Sequence, residues 1–530
     1  MTTPARTRQC NSLNILREAA QQWPHAPALH HREVTWSYAQ LWRAVDRLAA
    51  GIAACASFAP GDRVGVLSYK TPHSVAAMQS VLYAGGVYVM LDARQPASRL
   101  AAICRDAGIK LLLGDETMAR HVGELREAGC VAFVLLDGDD MSGFPDDFVD
   151  AARWLDADTE RGLVRHPDGG NDLAALLYTS GSTGVPKAVR ITHENIVSFV
   201  EWADDYFRFS SDEVFLSQAH LSFDISTLDL YSAFRVGAAV VLLDEADAIF
   251  PRAVVSLLGD RKITNVYMVA SALVALMDQG GLIAQEFPSL RRILYGGEVL
   301  PGSALRRLRS WLPPDVELFN VYGPIESNIC TVWPVPAGAP VPDPAPIGYT
   351  VETLDLSVRY IDGTACVPGE VGEIWVSGPT VSPGYWQRPE LDSAKFETEG
   401  DTRWYRTGDL GARDAEGLFS FHGRGDHLVK RRGFRIELGE IETATTHHPN
   451  IAECAVVSTE QRPGIVEIHA WCSAREGASL SPGEIRTHLA ERIPGYMMPD
   501  SINLLHVLPK SGRDKIDRTA LRAKHLNRLD

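Results

Sequence analysis

Three things are scarce in this sequence, and each scarcity excludes something. Only 8 of 530 residues are cysteine, scattered as Cys10, Cys55, Cys104, Cys130, Cys330, Cys366, Cys454 and Cys472, with no Cys-x-x-Cys pair. That spacing speaks against a zinc module or a disulfide framework, and fits reduced, mostly buried thiols in a cytoplasmic enzyme. Basic residues are outnumbered, 51 Lys and Arg against 67 Asp and Glu, for a net charge of −16. Such a chain is not built to hold nucleic acid or an anionic membrane as its main partner. No uninterrupted apolar run approaches the roughly 20 residues of a membrane helix. The polar stretch Met1–Cys10 has no signal-peptide core. What remains is a globular composition, 45% hydrophobic and 22% charged. The length calls for several subdomains rather than one core.

The first 300 or so residues alternate helical patterns with short β-branched runs. Leu41–Ala54 reads as an amphipathic helix and Arg63–Leu67 as a buried strand. Val75–Ala84 is helical again, and Gly85-Gly86 ends it before a strand at Val87–Leu91. Val131–Leu136, Ala239–Leu243 and Asn265–Val269 read as further strands. The alternation predicts an α/β fold, with parallel sheets covered by helices. Pro, Gly and Ala crowd Ala337–Pro346, and beyond it short Gly-punctuated strands such as Gly372–Ser377 suggest a small β-barrel or sheet. From about Arg424 the pattern turns basic and becomes α+β. The expected division is a large domain over 1–425, β-rich at about 337–423, and a small domain over 426–530.

Thr179–Lys187 reads Thr-Ser-Gly-Ser-Thr-Gly-Val-Pro-Lys, directly after the apolar run Leu173–Tyr178. Glycines let a backbone approach an oligophosphate, and N–H and hydroxyl groups donate to its oxygens. Lys187 can add a point charge. It is not a Walker loop, because only Ser182 and Thr183 separate Gly181 from Gly184. Taken alone, a surface linker would read similarly.

Five further clusters follow. His220–Ser226 places Asp224 in an apolar setting, where a carboxylate needs a partner such as a substrate ammonium. As a lone Phe-Asp-x-Ser, it would more often be a helix N-cap. Asn320–Glu326 is a turn ending in a carboxylate, and Tyr405–Asp409 could bring another to ribose hydroxyls. Gly423–Asp426 followed by Val429–Glu442 is a charged, glycine-broken segment, and Lys515–Arg518 is a basic element near the C-terminus.

In this order and spacing, the clusters resemble the adenylate-forming enzyme superfamily, and within it the amino-acid adenylation domains of nonribosomal peptide synthesis. The resemblance runs from Thr35–Tyr38 to Arg518. It implies ATP and Mg²⁺ as cofactors. Thr179, Ser180, Gly181, Ser182, Thr183, Gly184 and Lys187 would form the loop that closes on the β- and γ-phosphates. Glu326 would be the Mg²⁺-associated glutamate. Gly297, Asn320 and Tyr322 would lie at the nucleotide, Asp409 on the ribose, and Arg424 as a second nucleotide contact. Asp426 would be the hinge about which the small domain rotates, and Lys515 the lysine that reaches in during adenylation. After rotation the Gly433 region would take its place. Asp224 would bind the α-ammonium of an amino acid.

The resemblance also implies a side-chain pocket of Ile225, Leu228, Ser271, Leu294, Gly296, Val321, Ile329 and Cys330. It contains no charged side chain, and Gly296 is expected to leave space. Cys330 stands where similar glycine pockets carry a bulky aromatic residue. A small to medium neutral substrate follows: glycine, alanine, proline or a branched aliphatic. Three positions depart from the family pattern: Ile325 for a threonine, Arg513-Asp514 for Asn-Gly, and Met90 for a proline. No carrier-domain Gly-Gly-x-Ser element is present, so the expected partner is a separate carrier protein with a phosphopantetheine arm, with a small activator protein as a further candidate. Two other readings stand beside this one: a small-acid or aryl-acid CoA ligase of the same superfamily, and a catalytically silent binding module.

Overall fold

A computed structural model describes residues 11–136, 148–155, 172–181, 186–425, 428–462, 465–510 and 516–526. Among these, seven strands form one sheet in the order Phe148–Asp150, Ala132–Leu135, Leu111–Gly114, Arg63–Leu67, Val87–Leu91, Leu173–Thr179, Lys187–Thr192. All neighbours are parallel except the last pair, a hairpin in which Thr179 lies opposite Lys187. A nine-stranded sheet is built around a parallel centre, Ala239–Leu242, Val214–Ser217, Asn265–Val269, Arg292–Gly296 and Glu317–Tyr322. Strands in the centre are buried on both faces. Leu111–Gly114, Ala239–Leu242 and Arg292–Gly296 carry no exposed position, as parallel sheets flanked by helices require.

The helices start earlier than hydrophobic periodicity alone predicts, because polar caps set their ends. The helix expected from Leu41 begins at Tyr38, where Ser37 and Gln40 form a reciprocal capping box. The one expected from Val75 begins at Pro72, capped by Thr71 and Ser74. Their apolar faces enter a core that also takes in Phe199, Trp202, Tyr231 and Phe234.

The β-rich stretch carries a five-stranded antiparallel sheet from Asp355–Arg359, Gly372–Ser377, Phe396–Glu399, Thr402–Arg413 and Phe419–Arg424. The C-terminal residues form a hairpin, Leu428–Arg431 with Phe434–Glu437, which runs straight into the helix Leu438–Thr446. A three-stranded sheet of Ile451–Arg462, Ile465–Ala474 and Ser501–Leu504 follows, with its own core around Ile436, Ile468 and Ile485. Among the described residues, no helix is long and apolar enough to cross a membrane.

Candidate functional site

Parallel strands end together, and here their carboxyl ends carry the candidate residues. Val269, Gly296 and Val321 are in register across three neighbouring strands. Ser271, Gly297 and the turn Gly323–Glu326 follow directly, and the His220–Ser226 segment follows the strand Val214–Ser217. Ligand sites of open α/β sheets lie at this edge.

A cavity of about 380 Å³ is lined by Gly297, Asn320, Val321, Tyr322, Arg424, Phe421, Glu298 and Lys430, among others. Five of the residues expected at the nucleotide or substrate thus share one space. Asp409 is fully buried; its carboxylate accepts from the Tyr322 hydroxyl at 2.7 Å and from the Arg424 guanidinium. Asn320 donates to the Pro346 carbonyl at 2.8 Å. A larger cleft of about 720 Å³, beside Trp202, Arg235 and Glu317, contains none of the candidate residues.

Glu326 is completely buried and fully hydrogen-bonded. The Tyr385 hydroxyl donates to it at 2.7 Å, and one Arg435 nitrogen reaches both of its oxygens at 3.0 Å. Burial alone would raise its pKa, but Arg435 and Lys187 more than offset that and hold it down at about 2. A buried carboxylate that stays ionised is a fitting ligand for a hard cation. Lys187, also buried, pairs with Glu437 at 3.1 Å and lies 5.4 Å from the Tyr385 ring. Burial and the neighbouring Arg435 lower its pKa, against the pull of Glu437 and Glu326.

The start of the expected phosphate loop is engaged by the same C-terminal segment. The Ser180 hydroxyl donates to the Arg435 carbonyl at 2.7 Å and accepts from the Glu437 N–H at 3.1 Å. The Gly181 N–H donates to Glu440 at 3.1 Å, and Glu440 is in turn paired with Arg99. Gly433, at φ +81°, donates its N–H to Glu298 at 2.8 Å and lies so close to Val269 that a Cβ would sit 2.7 Å from it. Glycine is required twice over there, by the left-handed backbone and by the close approach. Ser182, Thr183, Gly184, Asp426 and Lys515 lie outside the described residues, as do Arg513 and Asp514.

Asp224 precedes the short helix Ile225–Thr227, but its side chain makes no cap hydrogen bond, which removes the N-cap reading. Burial, with a smaller push from Glu326, raises its pKa to about 6 against the opposing pull of the Asp224 and Ile225 backbone N–H groups and of Lys430. Leu228, Leu294, Gly296, Val321, Ile329 and Cys330 are buried, while Ile225 and Ser271 are partly so. Cys330 shares its sulfur with the Ser327 hydroxyl at 3.0 Å, and burial pushes its pKa up to about 12, so it remains a thiol. Ser271 turns its backbone N–H to Glu298 at 3.0 Å. One expectation is corrected: Gly296 does not open space. A Cβ there would lie 2.4 Å from the Val321 carbonyl oxygen, so the glycine is filled by the neighbouring strand. Ile325 packs against the main core, and Met90 is buried in its strand.

Sequence reasoning missed four charged residues here. Arg435, Glu437 and Glu440 reach Glu326, Lys187 and Gly181 across 109, 250 and 259 positions. Lys430 lies 5.8 Å from the Tyr322 ring, within the fields of Asp409 and Asp224, and burial lowers its pKa. In the strand Leu428–Arg431, period-2 geometry puts Lys430 on the same face as the buried Leu428, which was the available signal that this lysine points inward.

The chain is similar to known proteins over nearly its whole length. Residues 16–386 match the model of the AMP-binding enzyme family, and residues 440–515 that of the AMP-binding enzyme C-terminal domain. The chain is 35% identical over 514 residues to an L-proline–[L-prolyl-carrier protein] ligase of Pseudomonas fluorescens, covering 94% of this chain and 96% of that protein. It is 36% identical over 488 residues to a ligase of the same name from Streptomyces coelicolor, covering 91% and 90%. Among solved structures, the Vibrio cholerae adenylation domain AlmE in complex with glycyl-adenosine-5'-phosphate superposes with a TM-score of 0.82 at 21% identity, covering 99% of this chain and all of that one (100%).

Proposed function

The chain belongs to the AMP-binding enzyme family, and from that premise we propose that it activates proline with ATP and passes the prolyl group to the phosphopantetheine thiol of a separate carrier protein. The observation that carries the amino-acid reading is Asp224, a partly buried carboxylate whose pKa burial raises to about 6, with the uncharged Ile225, Leu228, Leu294, Val321 and Ile329 assigned as the side-chain walls. A prolinium N–H₂⁺ supplies the missing cation, and the apolar ring suits the remaining walls. The L-proline ligases at 35% and 36% identity support proline over glycine or alanine.

In the first half-reaction, a substrate carboxylate oxygen attacks the ATP α-phosphorus, and the bond to pyrophosphate breaks. Rate comes from in-line positioning and neutralised phosphate charge rather than from covalent protein chemistry. We assign Asn320, Tyr322 and Gly297 to the adenine side. Asp409 has lone pairs to accept ribose hydroxyls beside Tyr322 and Arg424. Ser180, Gly181 and Lys187 are assigned to the phosphates, and Lys515 to the carboxylate and the developing charge. Glu326 would hold Mg²⁺, which when bound would supply positive charge to the phosphates. In the second half-reaction, the carrier thiol attacks the carbonyl carbon and AMP leaves. The 426–530 segment turns about Asp426 between the two, and the Gly433 hairpin seated against Glu298 fits the second.

Amino-acid-dependent ATP–pyrophosphate exchange tests this reading. Across the proteinogenic amino acids, proline should give the strongest exchange, and a prolyl thioester should then form on a phosphopantetheinylated carrier. Exchange with none of them, also after coexpression of a small activator protein, would overturn it. AMP release that depends on free CoA and an amine-free acid would favour a CoA ligase.

A further inference from the structure

In a strand, successive carbonyls point in opposite directions and do not converge on one donor. At the end of the strand Val214–Ser217 they do converge. The Lys70 ammonium donates to the Ser217 carbonyl at 2.6 Å, to that of Gln218 at 2.9 Å and to that of Ala219 at 3.0 Å. The chain therefore leaves its strand at a corner built around one nitrogen. Among the described residues, no other donor reaches the Gln218 and Ala219 carbonyls. An ammonium has three N–H donors, so Lys70, only 1% exposed, has none left for a substrate. The lysine is itself firmly held. It follows the strand Arg63–Leu67 of the seven-stranded sheet, next to the Thr71 cap of the helix Pro72–Tyr83, and its backbone N–H donates to Glu245 at 3.0 Å. Burial lowers its pKa to about 8 against the pull of Glu245 and Asp229, so it keeps its proton at neutral pH.

The corner opens the segment that carries Asp224, and tight turns pass its direction on. The Phe223 N–H donates to the His220 carbonyl at 3.0 Å, the Ser226 hydroxyl to the Phe223 carbonyl at 2.6 Å, and the Thr227 N–H to the Asp224 carbonyl at 2.9 Å. Beyond these turns stands Asp229, also buried, whose pKa Lys70 lowers against burial. One ammonium thus acts at both ends of the segment. We propose that Lys70 is a positioning residue for substrate recognition: it fixes the corner Ser217–Ala219, and through it the place where the Asp224 carboxylate stands. The inference rests on the reading of Asp224 as the partner of the substrate ammonium. Without the Lys70 ammonium, buried carbonyls lose their donor, and the corner must relax to find others.

Steady-state ATP–pyrophosphate exchange on the full chain tests this. Lys70→Met should raise KM for proline about tenfold, as for a misplaced binding group, while kcat and KM for ATP change less than about threefold. Lys70→Arg, which keeps the charge and the donors, should recover most of the loss. In an Asp224→Ala background, Lys70→Met should lower kcat/KM by less than about threefold, because a residue acting through Asp224 has nothing left to act on. Should Lys70→Met fail to fold, Lys70→Gln, which keeps two N–H donors, should raise KM for proline about threefold. Amide hydrogen–deuterium exchange without substrate, read by peptide mass spectrometry, separates the inference from the reading it rests on. Either variant should speed amide exchange over residues 218–228 about threefold and leave Glu317–Tyr322 unchanged. Uniform acceleration or none overturns the proposal, as does a rise in KM for ATP as large as that for proline. Equal loss of kcat/KM in both backgrounds, with Asp224→Ala itself impaired, overturns it too. Acceleration confined to 218–228 together with full activity of Asp224→Ala would overturn the Asp224 reading alone.

Discussion

Two carboxylates of the site, the fully buried Glu326 and the partly buried Asp224, show opposite electrostatics. Glu326 is surrounded by the chain's own cations, Arg435 and Lys187, and its pKa falls to about 2. For Asp224, burial and Glu326 raise the pKa to about 6, and the backbone N–H groups of Asp224 and Ile225 together with Lys430 offset this only in part. The first carboxylate is neutralised from within the molecule. The second is left short of positive charge, as a site should be when its counter-ion arrives with the substrate. The comparison therefore separates the part of the site that the protein can occupy itself from the part reserved for a ligand.

The harshest way to break the nucleotide side is Lys515→Ala. It should slow prolyl-adenylate formation by on the order of 1000-fold, as for loss of a group that meets developing charge. Transfer from a preformed adenylate should change only a few-fold. Rapid-quench measurement of each half-reaction checks this, and equal loss of both would contradict the division of labour.

On the substrate side, Asp224→Ala should lower kcat/KM for proline by about 100-fold, because a buried ammonium is left unpaired. Steady-state exchange kinetics read this directly.

A gentler version of the same break is acid. Protonation of Asp224 as the pH drops through about 6 removes the charge that proline's ammonium needs. KM for proline should then rise about tenfold per pH unit below that point, since each unit is a factor of ten in the ionised fraction. The Asp224→Asn variant should lack this limb. Lys430→Met should move it upward in the parent, because Lys430 is one of the groups that lower the Asp224 pKa.

The smallest effect concerns the pocket wall. Gly296→Ala drives a methyl against the Val321 carbonyl, 2.4 Å away, and should cost about 1–3 kcal/mol of stability. Denaturant unfolding would show it. Unchanged stability together with tighter glycine discrimination would restore the open-space reading of that residue.

Much of this was legible from local patterns. Buried strands such as Arg63–Leu67 and Asn265–Val269 announced themselves by continuous apolar residues, and the glycine–hydroxyl loop by its composition. Helix starts were not, because Ser37 and Thr71 act through single hydrogen bonds that hydrophobic spacing does not register. Gly296 was misread because the atoms that fill its space belong to Val321, on a different strand. Arg435, Glu437 and Glu440 stood out only as members of a charged, glycine-broken segment. Their partners lie 109, 250 and 259 residues away along the chain, and only docking of the C-terminal segment brings them together.

The central claim is that Asp224 waits for an ammonium. The most direct test compares ATP–pyrophosphate exchange with proline and with cyclopentanecarboxylate, which keeps the ring and the reacting carboxylate but has no amine. The account predicts strong exchange with proline and at least 100-fold less with the amine-free acid. Comparable exchange with both would contradict it.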